Sequence, residues 1–465
     1  MRRMIPLFFL LITLKLFALE PPAVTWTTDY GIAFYDVKET SEYQFIVTGI
    51  AFYSDYARTV LLFNDAGDLV WESGFPGNPL YTFGYSVEEL PDGSFIAAGE
   101  TRESGASTSA IFVSGTSSNG ENLWFRIYDF PDSNDVASCV LPLDNGNLAL
   151  CGSMDPIQSG YTNSFVMVTD AQGDSLWSVR FKRNYANRAQ RILEYEDQLV
   201  VFVYAPLYGG GIGGTRIISF NQNSGDILWE ADDFPELLCP WASGGDMTLS
   251  TVEDGFTFVT AYFPHIAHTD AYGNLKWYFE IPYYSQPYGH SISNTMDGGY
   301  IYGGENTPGE EPPYGIQSGV AVKYDSEGTF QWGDIVWEIR DIQCIRQLSS
   351  GGYIACGGET PGTLLRYEPE TGIENSTPEA IEITSLSSNP FSESLTINFS
   401  LCDASETTLT VFDLSGRVVD VVQEGSLSAG DHSSVWVPDN EPSGCYIVRL
   451  ATPEFSCIQN CVLIK

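Results

Sequence analysis

The feature that most constrains this chain is a tryptophan that recurs about every fifty residues. Successive copies are 45, 53, 53, 52, 48 and 55 residues apart, and six of the seven end a phrase such as DAGDLVW or DAQGDSLW. A second phrase, as in PDGSFIAAG and SGGYIACGG, keeps the same period. Such a period is typical of folds in which each copy is one supersecondary unit. The seven tryptophans are Trp26, Trp71, Trp124, Trp177, Trp229, Trp277 and Trp332.

Each repeat has the texture of β-structure. In the third, the runs DVASCVLPL, NLALCGS, NSFVMVTD and DSLWSVRF are separated by Gly turns, and no helical periodicity appears. Four antiparallel strands in a repeat of this length are typical of a β-propeller blade, so seven copies predict seven blades. Trp26 has no other strands of its repeat before it, and the last repeat lacks its tryptophan. We therefore predict that the N-terminal strand completes the last blade and covers its edge.

The N-terminus and the charge indicate an exported protein. Residues 1–20 place two arginines before an apolar run, the pattern of a signal peptide. No later stretch is long and apolar enough for a membrane span, so none is expected in the mature chain. The formal charge of −39 repels nucleic acid and anionic membranes, which excludes nucleic acid as a partner class.

Nine cysteines in an exported chain suggest disulfides. Cys139 and Cys151 are symmetric about a DNG turn, and Cys344 and Cys356 about an SGG turn, so each pair is expected to face across a hairpin within bridging reach. Two spare buried thiols at each hairpin are the alternative. The pairing of the remaining five is left open: Cys239, Cys402, Cys445, Cys457 and Cys461.

A ligand site is expected on the side of the propeller that carries the variable loops, because loops on a rigid frame commonly bind ligands. Its richest patch is aromatic and could stack on sugar rings or hold a peptide. The alternative is that most of these rings pack between blades. The candidate ligand-binding residues are Trp241, Tyr262, Tyr278, Tyr283, Tyr284 and Tyr288.

No catalytic, metal or cofactor site is predicted. His265 and His268 lie at an odd spacing on a predicted strand, so they point to opposite faces and do not form a metal pair. The glycines at 209–214 match a nucleotide-loop pattern but precede a strand, not a helix. Carboxylates are abundant, yet no acid and base pair is marked by its spacing.

The repeats resemble those of quinoprotein-like propellers and of other exported bacterial propellers with DGG-type blades. That resemblance rests on the D-x-x-G-x-x-x-W and DGGY phrases and covers the predicted propeller, residues 21–372. A quinoprotein dehydrogenase would also need cofactor and calcium ligands, and none can be named here.

The tail, residues 381–465, follows a linker at 373–380 rich in Glu, Ser and Thr, and its runs predict a small seven-strand Ig-like β-sandwich. It resembles the C-terminal sorting domain of type IX secretion cargo. By that resemblance the tail is an export address recognised by secretion machinery at the outer membrane. The residues that carry the resemblance are Asn389, Pro390, Phe391, Asp413, Gly416, Arg417, Gly430, His432, Gly444 and Tyr446.

These observations favour a secreted or surface-displayed propeller that binds a glycan or protein ligand without catalysis. The alternative is a secreted polysaccharide hydrolase or lyase that uses Asp or Glu near the propeller axis. A redox enzyme with a bound quinone is a third, weaker hypothesis.

Overall fold

In the computed structural model the chain forms two compact units, Met1–Glu370 and Thr371–Lys465, here called unit 1 and unit 2. The described residues are 21–52, 57–75, 79–103, 105–130, 132–156, 162–181, 188–205, 214–231, 234, 245–250, 254–260, 265–281, 288–306, 317–358, 361–370, 381–387, 391–392, 394–401, 404–413, 418–438, 444–452 and 456–463.

All 35 regular elements in the described ranges are β-strands. Unit 1 begins with β1 (Val24–Tyr30), and the strands after it form seven consecutive groups. Group 1 contains β2 (Ala33–Glu39), β3 (Phe45–Phe52), β4 (Ala57–Phe63) and β5 (Leu69–Phe75). Group 2 contains β6 (Pro79–Glu89), β7 (Phe95–Glu103), β8 (Ala110–Thr116) and β9 (Asn122–Tyr128). Group 3 contains β10 (Ser133–Pro142), β11 (Leu148–Pro156), β12 (Asn163–Thr169) and β13 (Ser175–Phe181).

The later groups repeat this order. Group 4 contains β14 (Arg188–Tyr195), β15 (Gln198–Ala205), β16 (Gly214–Asn221) and β17 (Ile227–Ala231). Group 5 contains β18 (Gly245–Leu249), β19 (Phe256–Thr260), β20 (His265–Thr269) and β21 (Leu275–Glu280). Group 6 contains β22 (Tyr288–Asn294), β23 (Tyr300–Asn306), β24 (Ser318–Tyr324) and β25 (Phe330–Val336). Group 7 contains β26 (Ile342–Gln347), β27 (Tyr353–Gly357) and β28 (Gly362–Tyr367), and its fourth strand is β1.

Within each group the strands pair in chain order and antiparallel, so unit 1 has an all-β architecture of the propeller type. Groups 1 and 2 are joined into one eight-stranded sheet, because the end of β3 at Ile50–Phe52 also pairs with β6 at Tyr81–Phe83. Strand β1 pairs with β28 along its length, from Val24 opposite Tyr367 to Tyr30 opposite Gly362. The expected docking of the segment around Trp26 is therefore observed.

Consecutive groups pack through the tryptophans and the Gly turns that recur in the sequence. At five of the junctions between groups, a tryptophan on the fourth strand of one group covers the turn between the third and fourth strands of the next. Trp71 Nε1 donates to the carbonyl of Ser118 at 3.0 Å, and Gly120 in the same turn has a φ of +82°. A Cβ on Gly120 would lie 2.8 Å from the Trp71 ring, so this position requires glycine for both its backbone and its contact. The same pairing joins Trp26 to Gly67, Trp124 to Gly173, Trp177 to Gly225 and Trp229 to Gly273.

The core of unit 1 lies between neighbouring groups, where the apolar faces of the sheets meet. The first group packs against the last: Phe34 and Phe63 of group 1 share one buried cluster with Ile354 and Leu364 of group 7. Burial of large apolar side chains between successive sheets is the main favourable term for such an assembly. Because the last interface is as well buried as the others, the groups follow one another around a closed ring.

Unit 2 contains seven strands in two antiparallel sheets. One sheet has the order β29-β30-β33, and the other has the order β32-β31-β34-β35. A single buried cluster contains Phe399 and Trp436 of the first sheet and Leu409 and Val448 of the second. The two sheets therefore share a core. The strands are β29 (Ile381–Ser387), β30 (Leu395–Leu401), β31 (Ser405–Asp413), β32 (Val418–Leu427), β33 (Gly430–Trp436), β34 (Gly444–Ala451) and β35 (Ser456–Leu463).

Within the described residues, no helix has the length and apolar character needed to cross a membrane.

Candidate functional site

A cavity of about 450 Å³ lies on the axis around which the seven groups are arranged. The first strand of every group contributes to its wall, so the cavity belongs to the ring as a whole and not to one repeat. Its lining is mostly polar, with two tyrosines and several charged groups. It is lined by Tyr35, Asp36, Tyr85, Glu100, Asn134, Val136, Ser138, Ser153, Asp155, Arg188, Gln190, Arg191, Gly245, Asp246, His290, Gln343 and Cys344.

β-Bulges turn side chains into this cavity. In six of the seven first strands the pairing register shifts by one residue within the strand. The residue skipped at each shift is a cavity residue, as expected where a bulge re-aims a side chain toward a site. Group 5 has Gly245 at this place, with a φ of +135°. The six bulged residues are Tyr35, Tyr85, Ser138, Gln190, His290 and Gln343.

The residue after each bulge belongs to a buried ring around the axis, here called the axial ring. Its members are Asp36, Ser86, Cys139, Arg191, Asp246, Ser291 and Cys344. In four groups the ring side chain accepts a hydrogen bond from a backbone N–H of the next group. These bonds join Val87 to Asp36 at 3.1 Å, Val140 to Ser86 at 3.2 Å, Ile292 to Asp246 at 3.2 Å and Ile345 to Ser291 at 3.2 Å.

The remaining links of the axial ring are between side chains. Arg191 donates to the sulfur of Cys139 at 3.7 Å and to Asp246 Oδ1 at 2.5 Å. The thiol of Cys344 donates to Asp36 Oδ1 at 3.2 Å, which joins group 7 to group 1. Every group is thus tied to the next at the axis by a polar contact.

The charges of the axial ring are deeply buried and compensated. Burial alone would raise the pKa of Asp246, but the charge and hydrogen bond of Arg191 outweigh it and hold that pKa below its usual value. Arg346 adds a second cation, with Nη2 3.9 Å from Asp36 and 4.0 Å from Asp246. Because these charges satisfy one another, the axial ring forms a rigid floor.

The cavity extends from this floor toward the variable loops. On the first strands, the lining residues either belong to the axial ring or precede it along the strand, as Asn134 and Arg188 do. On the second strands, the lining residues lie near the strand ends, as Glu100 and Asp155 do. First strands start, and second strands end, on the side of the ring that carries the long loops. The lining thus extends from the axial ring toward these strand ends.

Two carboxylates in the wall have different surroundings. Burial raises the pKa of Glu100; hydrogen bonds from Ser109 and Tyr85 oppose the rise, and the charge of Asp155 adds to it. The Tyr85 hydroxyl lies 3.3 Å from Glu100 Oε1. Asp155 is paired with Arg188, whose Nη2 lies 3.3 Å from Oδ2. Its other oxygen, Oδ1, is buried and has no hydrogen-bond partner among the described groups.

His290 contributes a neutral imidazole to the opposite wall. Burial lowers its pKa, although the charge of Asp341 opposes that shift. Its Nε2 atom is buried without a hydrogen-bond partner among the described residues. The other two histidines considered from the sequence lie elsewhere: His268 stacks on Trp277 at 5.2 Å, and His265 packs against Tyr278 at 5.9 Å. No group of three or more metal-ligating side chains occurs in the described parts of the chain.

The aromatic ligand patch predicted from the sequence falls mostly outside the described residues, which omit Trp241, Tyr262, Tyr283 and Tyr284. Tyr278 lies on β21, the fourth strand of its group, and is 44% exposed. Tyr288 starts β22, the first strand of the next group, opposite Glu305. These two positions are on strands at opposite edges of neighbouring sheets, so the patch stays a prediction.

The two predicted cysteine pairs occupy directly opposed positions. Cys139 pairs in register with Cys151, and Cys344 with Cys356, as the symmetric turns predict. All four are buried free thiols in this structure, and the disulfides stay a prediction. A hydrogen bond with Cys356 lowers the pKa of Cys344. Cys239 and Cys402 lie outside the described residues.

The residues that carry the sorting-domain resemblance are partly described. The rings of Phe391 and Tyr446 lie 5.4 and 5.3 Å from that of Trp436 in the core of unit 2. His432 stacks on Phe399 at 5.4 Å, and Gly430 has a φ of +114°. Asp413 ends β31 and Gly444 begins β34. Asn389, Pro390, Gly416 and Arg417 lie outside the described residues.

Sequence reasoning missed the cavity residues, although a signal for the axial ring was present. In five of the seven repeats the ring residue stands nine residues before the first large apolar residue of the second phrase, for example Asp36 before Phe45 and Cys344 before Tyr353. A Ser, Cys or Asp recurs at this spacing. Nothing local marks Glu100 or Asp155, which come from second strands of different repeats.

No family model matches this sequence, and no curated protein matches it. Several solved structures align with this chain at low identity. PorZ, an essential surface component of the type-IX secretion system of Porphyromonas gingivalis, is 10% identical over 92% of this chain and 51% of its own, with a TM-score of 0.34. This chain thus spans about half the length of PorZ.

Two other structures give similar values. The GH93 α-L-arabinofuranosidase of Fusarium graminearum, solved with arabinobiose, is 11% identical over 75% of this chain and 96% of its own, with a TM-score of 0.43. A DUF4221 family member from Bacteroides vulgatus is 8% identical over 61% of this chain and 92% of its own, with a TM-score of 0.40.

Proposed function

We propose that this protein is a secreted or surface-displayed seven-bladed β-propeller that binds a glycan in its axial cavity. The blades correspond to the seven four-stranded groups, and β1 completes the last. The observation that carries the proposal is the cavity itself. All seven first strands line it, and six bulges direct side chains into it.

The chemistry of the wall supports a sugar as the ligand. Tyr85 and Tyr35 pack edge to face at 5.1 Å and offer an aromatic surface, while Gln190, Gln343 and Ser138 supply hydrogen-bond donors and acceptors. Such a mixture suits a ring with apolar faces and many hydroxyls. A cavity of about 450 Å³ with a closed floor admits a small ligand and not the surface of a folded protein.

Export is proposed to depend on the two ends of the chain. The signal peptide at residues 1–20 directs the chain out of the cytoplasm, and unit 2 serves as an Ig-like sorting domain for secretion machinery at the outer membrane. The seven antiparallel strands and shared core of unit 2 support this role. Truncation after Glu370 should leave unit 1 folded but retained in the cell, as measured by fractionation and immunoblotting.

Glycan binding is tested on an array of neutral and charged glycans with the full mature chain and two variants. Tyr85→Ala removes a cavity ring and should lower the signal at least tenfold. Tyr272→Ala removes a tyrosine that is 72% exposed in a turn and should change nothing. Tyr278→Ala tests the aromatic patch predicted from the sequence. Loss of binding in Tyr278→Ala with full binding in Tyr85→Ala would move the site to that patch.

A polysaccharide hydrolase or lyase with Asp or Glu near the axis is the second candidate function. The specific observation in its favour is that Glu100 and Asp155 both line the cavity.

A further inference from the structure

Two carboxylates line the same cavity from the second strands of neighbouring groups. Glu100 lies on β7, the second strand of group 2, and Asp155 lies on β11, the second strand of group 3. Both stand near the strand ends at the open side of the cavity. The charge of Asp155 raises the pKa of Glu100, so the two carboxyl groups are within electrostatic reach of each other in the cavity wall.

The two carboxylates have different partners. Glu100 is held by two hydroxyl groups, Tyr85 and Ser109, and its burial favours the neutral acid. Asp155 has the cation Arg188 at 3.3 Å, and its Oδ1 has no hydrogen-bond partner among the described residues. A pair of carboxyl groups whose environments differ in this way can divide the work of general acid and general base.

We propose that the axial cavity hydrolyses the glycosidic bond of a terminal, uncharged sugar, with Glu100 as the general acid and Asp155 as the general base. This inference rests on the proposed glycan-binding function. Glu100 gives its proton to the glycosidic oxygen as the bond from that oxygen to the anomeric carbon breaks. Asp155 takes a proton from a water molecule whose oxygen forms the new bond to the anomeric carbon. The products are the free sugar and the shortened glycan.

The shape of the cavity supports a terminal sugar. The axial ring closes the cavity below Tyr85 and Gln190, and its members Asp36 and Asp246 are only 3% exposed. A glycan can therefore enter by its end but cannot pass through. The bond that reaches the two carboxylates is then the one next to the end.

The charges support a neutral substrate and hydrolysis over elimination. Elimination acts on uronic acids, whose carboxylate needs a cation in the site. Arg188 is already paired with Asp155, and Arg191 with Asp246. The lining thus leaves no unpaired arginine among its described residues to receive an acidic sugar.

The experiment compares para-nitrophenyl and methyl glycosides of neutral pyranoses and furanoses, with the full mature chain as the enzyme. Glu100→Gln should slow hydrolysis of methyl glycosides by about 10²–10⁴-fold, because the alkoxide leaving group needs the proton. It should slow para-nitrophenyl glycosides much less, because nitrophenolate leaves without one. Asp155→Asn should slow both series alike.

Glu103→Gln is the matched control, because Glu103 ends the same strand as Glu100, is exposed and does not line the cavity. It should retain full turnover. A structural role of Glu100 alone would slow both glycoside series equally, which would overturn the inference. Full activity in Glu100→Gln or in Asp155→Asn would also overturn it.

Binding is measured separately, by calorimetry with a non-hydrolysable thioglycoside of each sugar. One outcome is that the wild-type protein binds a thioglycoside, Tyr85→Ala abolishes this binding, and the wild-type protein hydrolyses no glycoside. This outcome would overturn the catalytic inference and leave the glycan-binding proposal standing. If none of the thioglycosides binds, both the catalytic inference and the glycan-binding proposal are overturned. Hydrolysis with the expected difference between the two leaving groups would support both.

Discussion

The outer edges of the seven groups repeat the same residues, whereas the inner edges do not. At the outer edge the same contact recurs: a tryptophan of one group covers a left-handed glycine in the next, as Trp71 covers Gly120. At the inner edge the equivalent positions carry different chemistry, from the carboxylate of Asp36 to the guanidinium of Arg191 and the thiol of Cys344. The repeated edge holds the groups together, and the varied edge forms the cavity.

This contrast explains why repetition and function separate in the molecule. A contact between adjacent groups can be copied because each copy meets the same neighbour. The cavity wall surrounds one space from seven directions, so its residues need not repeat. Divergence among equivalent positions of a repeat therefore points to the working surface.

We expect the largest loss of stability from a substitution that breaks the axial ring. Asp246→Ala leaves Arg191 as a buried unpaired cation and removes the acceptor for the N–H of Ile292. We expect a loss of about 3–5 kcal/mol in the free energy of unfolding, measured by urea denaturation. The control is Asp226→Ala in an exposed turn, with a change within about 0.5 kcal/mol.

The acid dependence of a second variant, Asp246→Asn, sharpens this prediction. The pKa of Asp246 in the folded protein is lower than its ordinary value of 3.8. Its stabilisation is therefore complete above pH 3.8 and is lost as the pH falls through the lower folded pKa. The difference between wild type and Asp246→Asn should shrink over that acidic range. A difference that stays constant there would contradict the ion pair as its cause.

Oxidation of the two cysteine pairs comes next. Each disulfide closes a short hairpin loop and should raise the free energy of unfolding by about 3 kcal/mol. Thermal denaturation with and without reductant measures this effect. Cys139→Ser with Cys151→Ser, and the same change at Cys344 and Cys356, separates the two pairs. Full alkylation of all four thiols in the exported protein without reductant would show that no bridge forms.

At the outer edge, Gly120→Ala should destabilise the protein by about 2–3 kcal/mol, because it combines a left-handed backbone with a clash against Trp71. Gly93→Ala is the matched control. Gly93 has a φ of +78° but nothing within 4 Å of the new Cβ, so only the backbone cost of about 1 kcal/mol applies. Equal losses at the two sites would mean that the tryptophan contact contributes nothing.

The smallest expected effect is a gain in thermal stability when Glu100 is replaced. Burial raises the pKa of Glu100, so its ionised form is less favourable in the folded than in the unfolded protein, and stability is lost as the pH rises through the folded pKa. The groups that face it are Tyr85, Ser109 and Asp155. Glu100→Gln should therefore raise the Tm at pH 7 by about 1–2 °C. The gain should vanish below the ordinary pKa of 4.5. A lower Tm at pH 7 would show that the carboxylate stabilises the fold.

Much of the fold could be predicted from local and periodic signals. The Gly turn and the tryptophan lie within a few residues of each other, and their period predicts the four-stranded groups. The isolated Trp26 segment predicts the pairing of β1 with β28, which the register confirms. The fusion of groups 1 and 2 through Ile50–Phe52 was not predicted, because it depends on how one strand end meets another group.

The sequence by itself determined the repeat, the β-character of every group and the opposed positions of the cysteine pairs, because strand alternation and turn chemistry act over a few residues. Only the tertiary structure decided the axial ring and the cavity. Asp36 and Cys344 are 308 residues apart and meet only when the ring closes. The bulges that aim Tyr85 or His290 inward depend on the pairing with the neighbouring strand, which no single repeat shows.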